Sequence, residues 1–275
     1  MWGKILGTFF GFLFGRYIGA LLGLYIGHLF DRSLRQDFNH KGGFTRFFTG
    51  GDDSNRQAVF FYATFSVMGH IAKSNGRVTE IHIEAANLLM SHMGLTPQQR
   101  REAQEAFREG KQSDFNLQNT LKEFKQSVFN RREVLQMFLE IQIQGAYSDA
   151  VLSSNERELL AVVAKTLSFS EKELKFLINR WEAEVRFHQQ KQQRNNGAAG
   201  SRPANGQSLD DAYELLGVSP QNSDNEIKKA YKKLMTQHHP DKLISKGLPP
   251  EMLEMAKAKA QDIQSAYDMI KANRS

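Results

Sequence analysis

The sequence predicts an all-α protein: an N-terminal transmembrane helix, a central helical bundle and a C-terminal helical hairpin. Three observations carry that reading. Residues 5–30 are apolar apart from Thr8, Arg16 and His28, a run that suits a membrane crossing. From about residue 56 to 188, apolar residues recur at three- and four-residue steps without strand-like alternation. Near the C-terminus, Pro240 separates two helical stretches, because its ring cannot continue the helix before it and biases His239 away from the helical region.

Taken in order, residues 1–31 form the anchor. As a helix, residues 5–30 reach roughly 39 Å at 1.5 Å per residue, against a hydrocarbon core of about 30 Å. No small-x-small cleavage site follows Phe30, so the segment reads as an uncleaved anchor. Lys4 stands alone before the span, whereas Arg32, Arg35, Lys41 and Arg46 follow it. The positive-inside rule then places the body in the cytoplasm and the N-terminus outside, as in a single-pass membrane protein. Gly3, Gly7, Gly11, Gly15, Gly19, Gly23 and Gly27 recur at every fourth residue. Gly7, Gly11, Gly15, Gly19 and Gly23 are the expected contact stripe of a transmembrane homodimer, since small residues let two backbones approach closely. Arg16 sits near mid-span, where insertion costs about 2.5–3.5 kcal/mol, offset by the surrounding Phe, Leu and Ile.

Composition narrows the function. The chain has 275 residues, no cysteine and a net charge of +6. That length holds two domains of ordinary size. Without cysteine there is neither a disulfide framework nor a thiolate metal site. Residues 1–46 carry six Lys/Arg against two Asp/Glu, whereas residues 209–275 carry ten of each and are neutral. The basic excess therefore belongs to the membrane flank, and no nucleic-acid partner is expected.

A glycine-rich joint (32–55) leads to the middle domain (56–188), read as a bundle of about seven helices. Phe61, Phe65, Met68, Leu88, Leu89, Phe107, Phe124, Phe138, Ile141, Leu160, Val163, Leu167 and Phe176 are its expected core. The segment 74–79 aligns with 148–153 at an offset of 74. Ser153 and Glu156 read as a capping box. Asp149 and Glu156 raise the alternative of a metal loop, but the first copy offers only Asn75, Thr79 and His82 at those positions, a poor set for a hard cation. No metal site and no cofactor are expected. This region resembles the TerB-like helical domain. Residues 189–207 are rich in Gln, Asn, Gly and Ala, nearly free of apolar residues, and read as a flexible tether.

In the last domain (208–275), Ile227, Tyr231, Leu234 and Met235 share one face of a helix, while Lys228, Lys229, Lys232 and Lys233 point to solvent. Asp224 and Glu226 suit the start of that helix. His239, Pro240 and Asp241 then form a stiff, exposed turn. Ahead of it stands Asp211-Ala-Tyr213-Glu-Leu-Leu216-Gly217-Val218, and behind it the helical stretch 258–270. In order and spacing these residues resemble the J-domain, the module that drives ATP hydrolysis by DnaK-type chaperones. The loop after Lys242 is longer than most J-domains carry. With an anchor in front and a TerB-like domain between, the whole resembles a family of membrane-anchored DnaJ-like co-chaperones of Gram-negative bacteria. The run 137–144 and the loop 247–252 add to that likeness.

The resemblance implies a DnaK-type partner that meets the lysine face, a His-Pro-Asp turn that triggers it, and unfolded or membrane-associated clients. It implies no catalysis by the chain itself. The alternative is a membrane-anchored stress sensor or scaffold acting through the middle domain, with the J-domain accessory. An enzyme is disfavoured: the eight histidines form no HExxH-like pair, and no phosphate-cradling glycine loop follows a strand.

Overall fold

The computed structural model describes residues 51–149, 152–195 and 205–274. The anchor with its glycine stripe, residues 32–50 of the joint and residues 196–204 of the expected tether lie outside the described residues. No described helix is long and apolar enough to cross a membrane. Residues Val59–Ser275 form one compact unit.

Seven α-helices make the middle domain: α1 (Gly51–Ala72), α2 (Glu80–His92), α3 (Pro97–Gly110), α4 (Leu117–Ser127), α5 (Arg132–Ala146), α6 (Ser154–Thr166) and α7 (Glu171–Asn195). No strand occurs among the described residues. Helix α1 starts inside the glycine-rich joint rather than near residue 56. Phe60, Phe65, Phe124 and Phe138 are fully buried. Phe124 and Phe138 meet at 4.4 Å between ring centroids, and Phe60 lies edge-on to Phe124 at 5.7 Å. Such aromatic pairs add about 0.5–1.5 kcal/mol beyond area burial. Helices α1 and α3 touch backbone to backbone. A Cβ on Gly69 would lie 2.1 Å from Phe107 O, and one on Gly110 would lie 1.8 Å from Ser66 O.

Two expected core residues are not core. Leu88 is 54% exposed and Phe176 is 43% exposed. Each adjoins a buried leucine, Leu89 or Leu177, and successive helix positions point about 100° apart.

The two repeat copies meet each other. Asn75 Nδ2 donates to Ser153 Oγ at 3.0 Å, and Asn155 Nδ2 donates to Ser74 O at 3.3 Å. Ser153 caps α6 as a box: its N–H donates to Glu156 Oε2 at 2.9 Å, and its Oγ accepts from Glu156 N at 3.2 Å. His82 and Glu156, both buried, face each other at 3.4 Å. The Glu156 carboxylate thus caps α6 with one oxygen and faces His82 with the other.

The C-terminal domain comprises α8 (Asn205–Leu216), α9 (Asp224–His238), α10 (Pro240–Ser245), a single 3₁₀ turn (Pro250–Met252) and α11 (Leu253–Arg274). Its core joins Ala212, Tyr213, Leu215 and Leu216 to Ile227, Leu234, Ile263, Ala266 and Ile270. Tyr231 stacks on Tyr267 at 4.3 Å, tying α9 to α11. Arg274 closes the far end, donating to Tyr213 Oη, Asn222 O and Asp224 Oδ1, each at 2.8 Å.

Helix α7 changes the expected domain relationship. It runs on to Asn195, and α8 begins at Asn205, so helix occupies both ends of the stretch expected as a tether. Ala183 and Phe187 of α7 are buried in the same core as Leu216 and Ile270. Arg186 pairs with Asp211 at 2.7 Å and with Glu214 at 2.6 Å, adding polar contacts between α7 and α8. The C-terminal domain is therefore seated on α7 instead of swinging from it.

Candidate functional site

The site starts at a cap that the carboxylates Asp224 and Glu226 only partly announced. Ser223 is the N-cap of α9: its N–H donates to Glu226 Oε2 at 2.7 Å, and its Oγ accepts from Glu226 N at 3.4 Å. Such boxes satisfy two orphan donors at once. Hydrogen bonds from Ser223 hold the Glu226 carboxyl below its usual range. From that start the helix phase follows. Ile227 and Leu234 are buried, Tyr231 and Met235 half-buried, and Lys228, Lys229, Lys232 and Lys233 exposed.

At the other end, His239 has extended backbone (φ −63°, ψ 125°), which ends α9, and Pro240 is the first residue of α10. Proline suits that position because its missing N–H would lack an intrahelical partner anyway. Asp241 is exposed, but His239 and Pro240 are half-buried, so the turn is less open than expected. The reason is that α10 folds back instead of leaving as a loop. Leu243 is 1% exposed, and Gly247 at φ +90° ends the short helix with its N–H donating to Ile244 O at 2.8 Å. The long loop then follows a defined path, with Leu248, Pro249 and Met252 buried. The site thus gathers the four lysines and Asp241 along one helix and its terminal turn. The glycine stripe lies outside the described residues.

Residues that the sequence reading passed over lie beneath the turn. His238, next to the turn, is 2% exposed. Its Nδ1 donates to Leu234 O at 3.0 Å, since a carbonyl only accepts. Its Nε2 lies 3.0 Å from Arg180 Nη2 and 3.1 Å from Glu140 Oε1. Arg180 Nη2 also donates to Glu140 Oε1 at 2.6 Å, and Lys259 Nζ bridges Glu140 at 3.2 Å and Glu184 at 3.1 Å. Burial alone would raise the Glu140 carboxyl, but Arg180, Lys259 and His238 hold it well below the usual carboxylate range. Burial likewise opposes the Lys259 charge, yet Glu184 and Glu140 raise it above an ordinary amine. The one sequence signal was a lone Glu within the otherwise apolar stretch 137–141.

Glu184, His188 and Asp262 converge with ligand-type atoms near one another. His188 Nε2 lies 2.7 Å from Asp262, and the Lys259 ammonium is already beside Glu184. These groups are thus engaged with one another between α7 and α11, and the cation beside Glu184 is Lys259.

Three family models match the chain: the transmembrane domain of the co-chaperone DjlA over residues 1–37, the tellurite resistance protein TerB over 61–177, and the DnaJ domain over 211–275. The co-chaperone protein DjlA of Photobacterium profundum is 49% identical over 275 residues, covering 100% of this chain and 99% of that one. The chain belongs to the DjlA co-chaperone family. The DjlA of Shewanella oneidensis is 49% identical over 273 residues, and that of Vibrio cholerae 44% identical over 282 residues, each with 98% of the relative covered. No solved structure matches. In DjlA terms, α1 to α7 include the TerB domain, and α8 to α11 carry the DnaJ domain with its His239-Pro240-Asp241 turn. The DjlA transmembrane match falls on the apolar segment read as the anchor.

Proposed function

We propose that the chain is a membrane-anchored J-domain co-chaperone that stimulates ATP hydrolysis by a DnaK-type chaperone at the cytoplasmic face of the inner membrane. The observation that carries this is the exposed row Lys228, Lys229, Lys232 and Lys233 leading to the exposed Asp241 on a proline-fixed turn. The lysines meet an acidic surface of the ATP-bound partner, and the turn inserts near its interdomain joint. His239 positions, Pro240 stiffens and Asp241 pairs with charge on the partner. Binding the hydrolysis-competent arrangement better than the other shifts the partner's population toward it, so the chain itself needs no catalytic group. The basic flank after residue 31 supports the cytoplasmic placement of the body. The glycine stripe supports a homodimer in the membrane.

The deciding experiment uses the full chain in detergent and the single-turnover ATPase of a DnaK-type chaperone. Wild type should accelerate hydrolysis, and His239→Gln should abolish the effect with an unchanged helical circular-dichroism spectrum. Equal stimulation by the variant would sink the reading.

One observation supports a binding role for the middle domain as well. Ile81 and Leu88 stand 46% and 54% exposed on α2 and, with Trp181, line an apolar groove of about 610 Å³. Leu88→Arg should remove crosslinked membrane-fraction partners while sparing ATPase stimulation. Unchanged crosslinks would end that second reading.

A further inference from the structure

The His-Pro-Asp turn is fastened to the middle domain on both sides, and both fastenings reach the same helix. Upstream, His238 lies 3.1 Å from Glu140 of α5. Downstream, Lys246 Nζ pairs with Glu133 Oε1 at 2.6 Å, and Arg131 Nη1 donates to Ser245 O at 3.4 Å. Arg131 is the residue that caps α5. Glu133 and Glu140 are seven residues apart, two helical turns, so they fall on one face about 10.5 Å apart along the axis. His238 and Lys246 flank the turn and α10 as a unit. A third tie runs through α11, whose Lys259 bridges Glu140 and Glu184.

What the bracket leaves free is as telling as what it holds. Lys228, Lys229, Lys232, Lys233 and Asp241 are all exposed, so the turn is gripped from behind and its presenting face is open. A stiff trigger held in one orientation loses less freedom on binding than one carried by a loose domain, and preorganisation of this kind strengthens association without new contacts. We infer that helix α5 of the middle domain is a bracket for the His-Pro-Asp turn, with Glu133 and Glu140 as positioning residues that raise the affinity of the J-domain for its chaperone. The positioning role rests on the co-chaperone reading above. The bracket itself does not.

Glu133 and Lys246 are the better pair to test. Glu140 is buried in the middle domain, and its loss would leave the buried Arg180 without its carboxylate and Lys259 with Glu184 alone. Glu133 and Lys246 are 29% and 34% exposed, so changing them leaves the core intact. The full chain in detergent is compared as wild type, E133K, K246E and E133K/K246E. Two quantities are followed: ATPase stimulation against co-chaperone concentration, and amide hydrogen exchange at Leu243 and Lys246, whose N–H groups donate to His239 O and to Lys242 O and Leu243 O respectively. In E133K the half-saturating concentration should rise about threefold, the size expected for a partly exposed pair. The maximal rate should stay, and exchange should quicken. The charge-swapped double variant should restore both.

Unchanged half-saturation and exchange in E133K would overturn the inference. So would a double variant no better than the worse single one, since that is the mark of generic damage. Exchange is read without the chaperone. If E133K quickens exchange and the swap reverses it, yet wild type stimulates nothing, the co-chaperone reading and its positioning role fall together, and the α5 contact stands.

Discussion

The Glu140 carboxylate and the His238 ring meet at 3.1 Å although ninety-eight positions separate them in the chain. One belongs to the central helix of the middle domain and the other to the residue before the His-Pro-Asp turn. Both are nearly inaccessible to water, so the contact joins the two domains at their interior and not at a rim. Buried charges are tolerated only when paired and hydrogen-bonded. Here Arg180, Lys259, His238 and Gln136 all gather on one carboxylate.

Acid should loosen this junction. The Glu140 carboxyl is buried, and Arg180, Lys259 and His238 hold it low; Glu133 is lowered chiefly by its bond to Lys246. A carboxyl depressed in the folded state contributes stability that is full above the unfolded value of about 4.3 and is lost as pH falls through the folded value. The junction should therefore hold at neutral pH and weaken only below about pH 4. Hydrogen exchange of α10 measured against pH checks this, with E133Q flattening part of the acid response. Loosening between pH 6 and 8 would contradict the assignment.

Docking on the chaperone should be steered by charge. Lys229 and Lys232 are exposed on α9, and the attraction of such charges is screened beyond about 8 Å at physiological salt. Lys229→Glu with Lys232→Glu should slow association far more than it speeds dissociation, and wild-type association should fall as salt rises. Stopped-flow binding reads both rates. A salt-independent wild-type association rate would exclude steering.

Phe187→Ala should weaken the C-terminal domain although the residue belongs to α7. Phe187 is 2% exposed within a core that includes Leu216 and Ile270. Truncating a buried phenylalanine costs about 3–5 kcal/mol. Thermal unfolding should show a C-terminal transition separating from the middle domain at lower temperature. A loss below about 1 kcal/mol would mean the α7 seat contributes little.

The transmembrane segment should associate with itself through its glycines. Gly15→Leu with Gly19→Leu adds bulk where two crossing helices would be closest, and makes the segment more apolar, so insertion is not at risk. A reporter of helix association in membranes should fall for this double variant and hold for Leu22→Ile. Equal association by both would reduce the stripe to composition.

Much of this architecture was legible in the sequence because local physics specifies it. Ile227 and Leu234 are buried and four lysines are exposed as the helical period requires, and Pro240 ends α9 where its ring forbids continuation. Leu88 and Phe176 were misplaced because apolar character alone does not say which of two neighbours faces inward. Residues 189–195 were read as tether for their polarity, yet Gln, Lys and Arg are good helix formers and simply prolong α7. The grouping of Glu140, Arg180, His238 and Lys259 was out of reach, because no spacing in one dimension reveals a charge shared by four helices.

Helix α7 serves two cores, and the order of synthesis gives that a consequence. The ribosome completes α7 before any part of α8 to α11 exists, so Ala183 and Phe187 leave the tunnel without the side chains that will cover them. Ile270, which closes that core, is made only in the last turns of α11. Between the making of Phe187 and that of Ile270 the protein therefore carries apolar side chains on a finished helix, shielded only once α8 to α11 arrive.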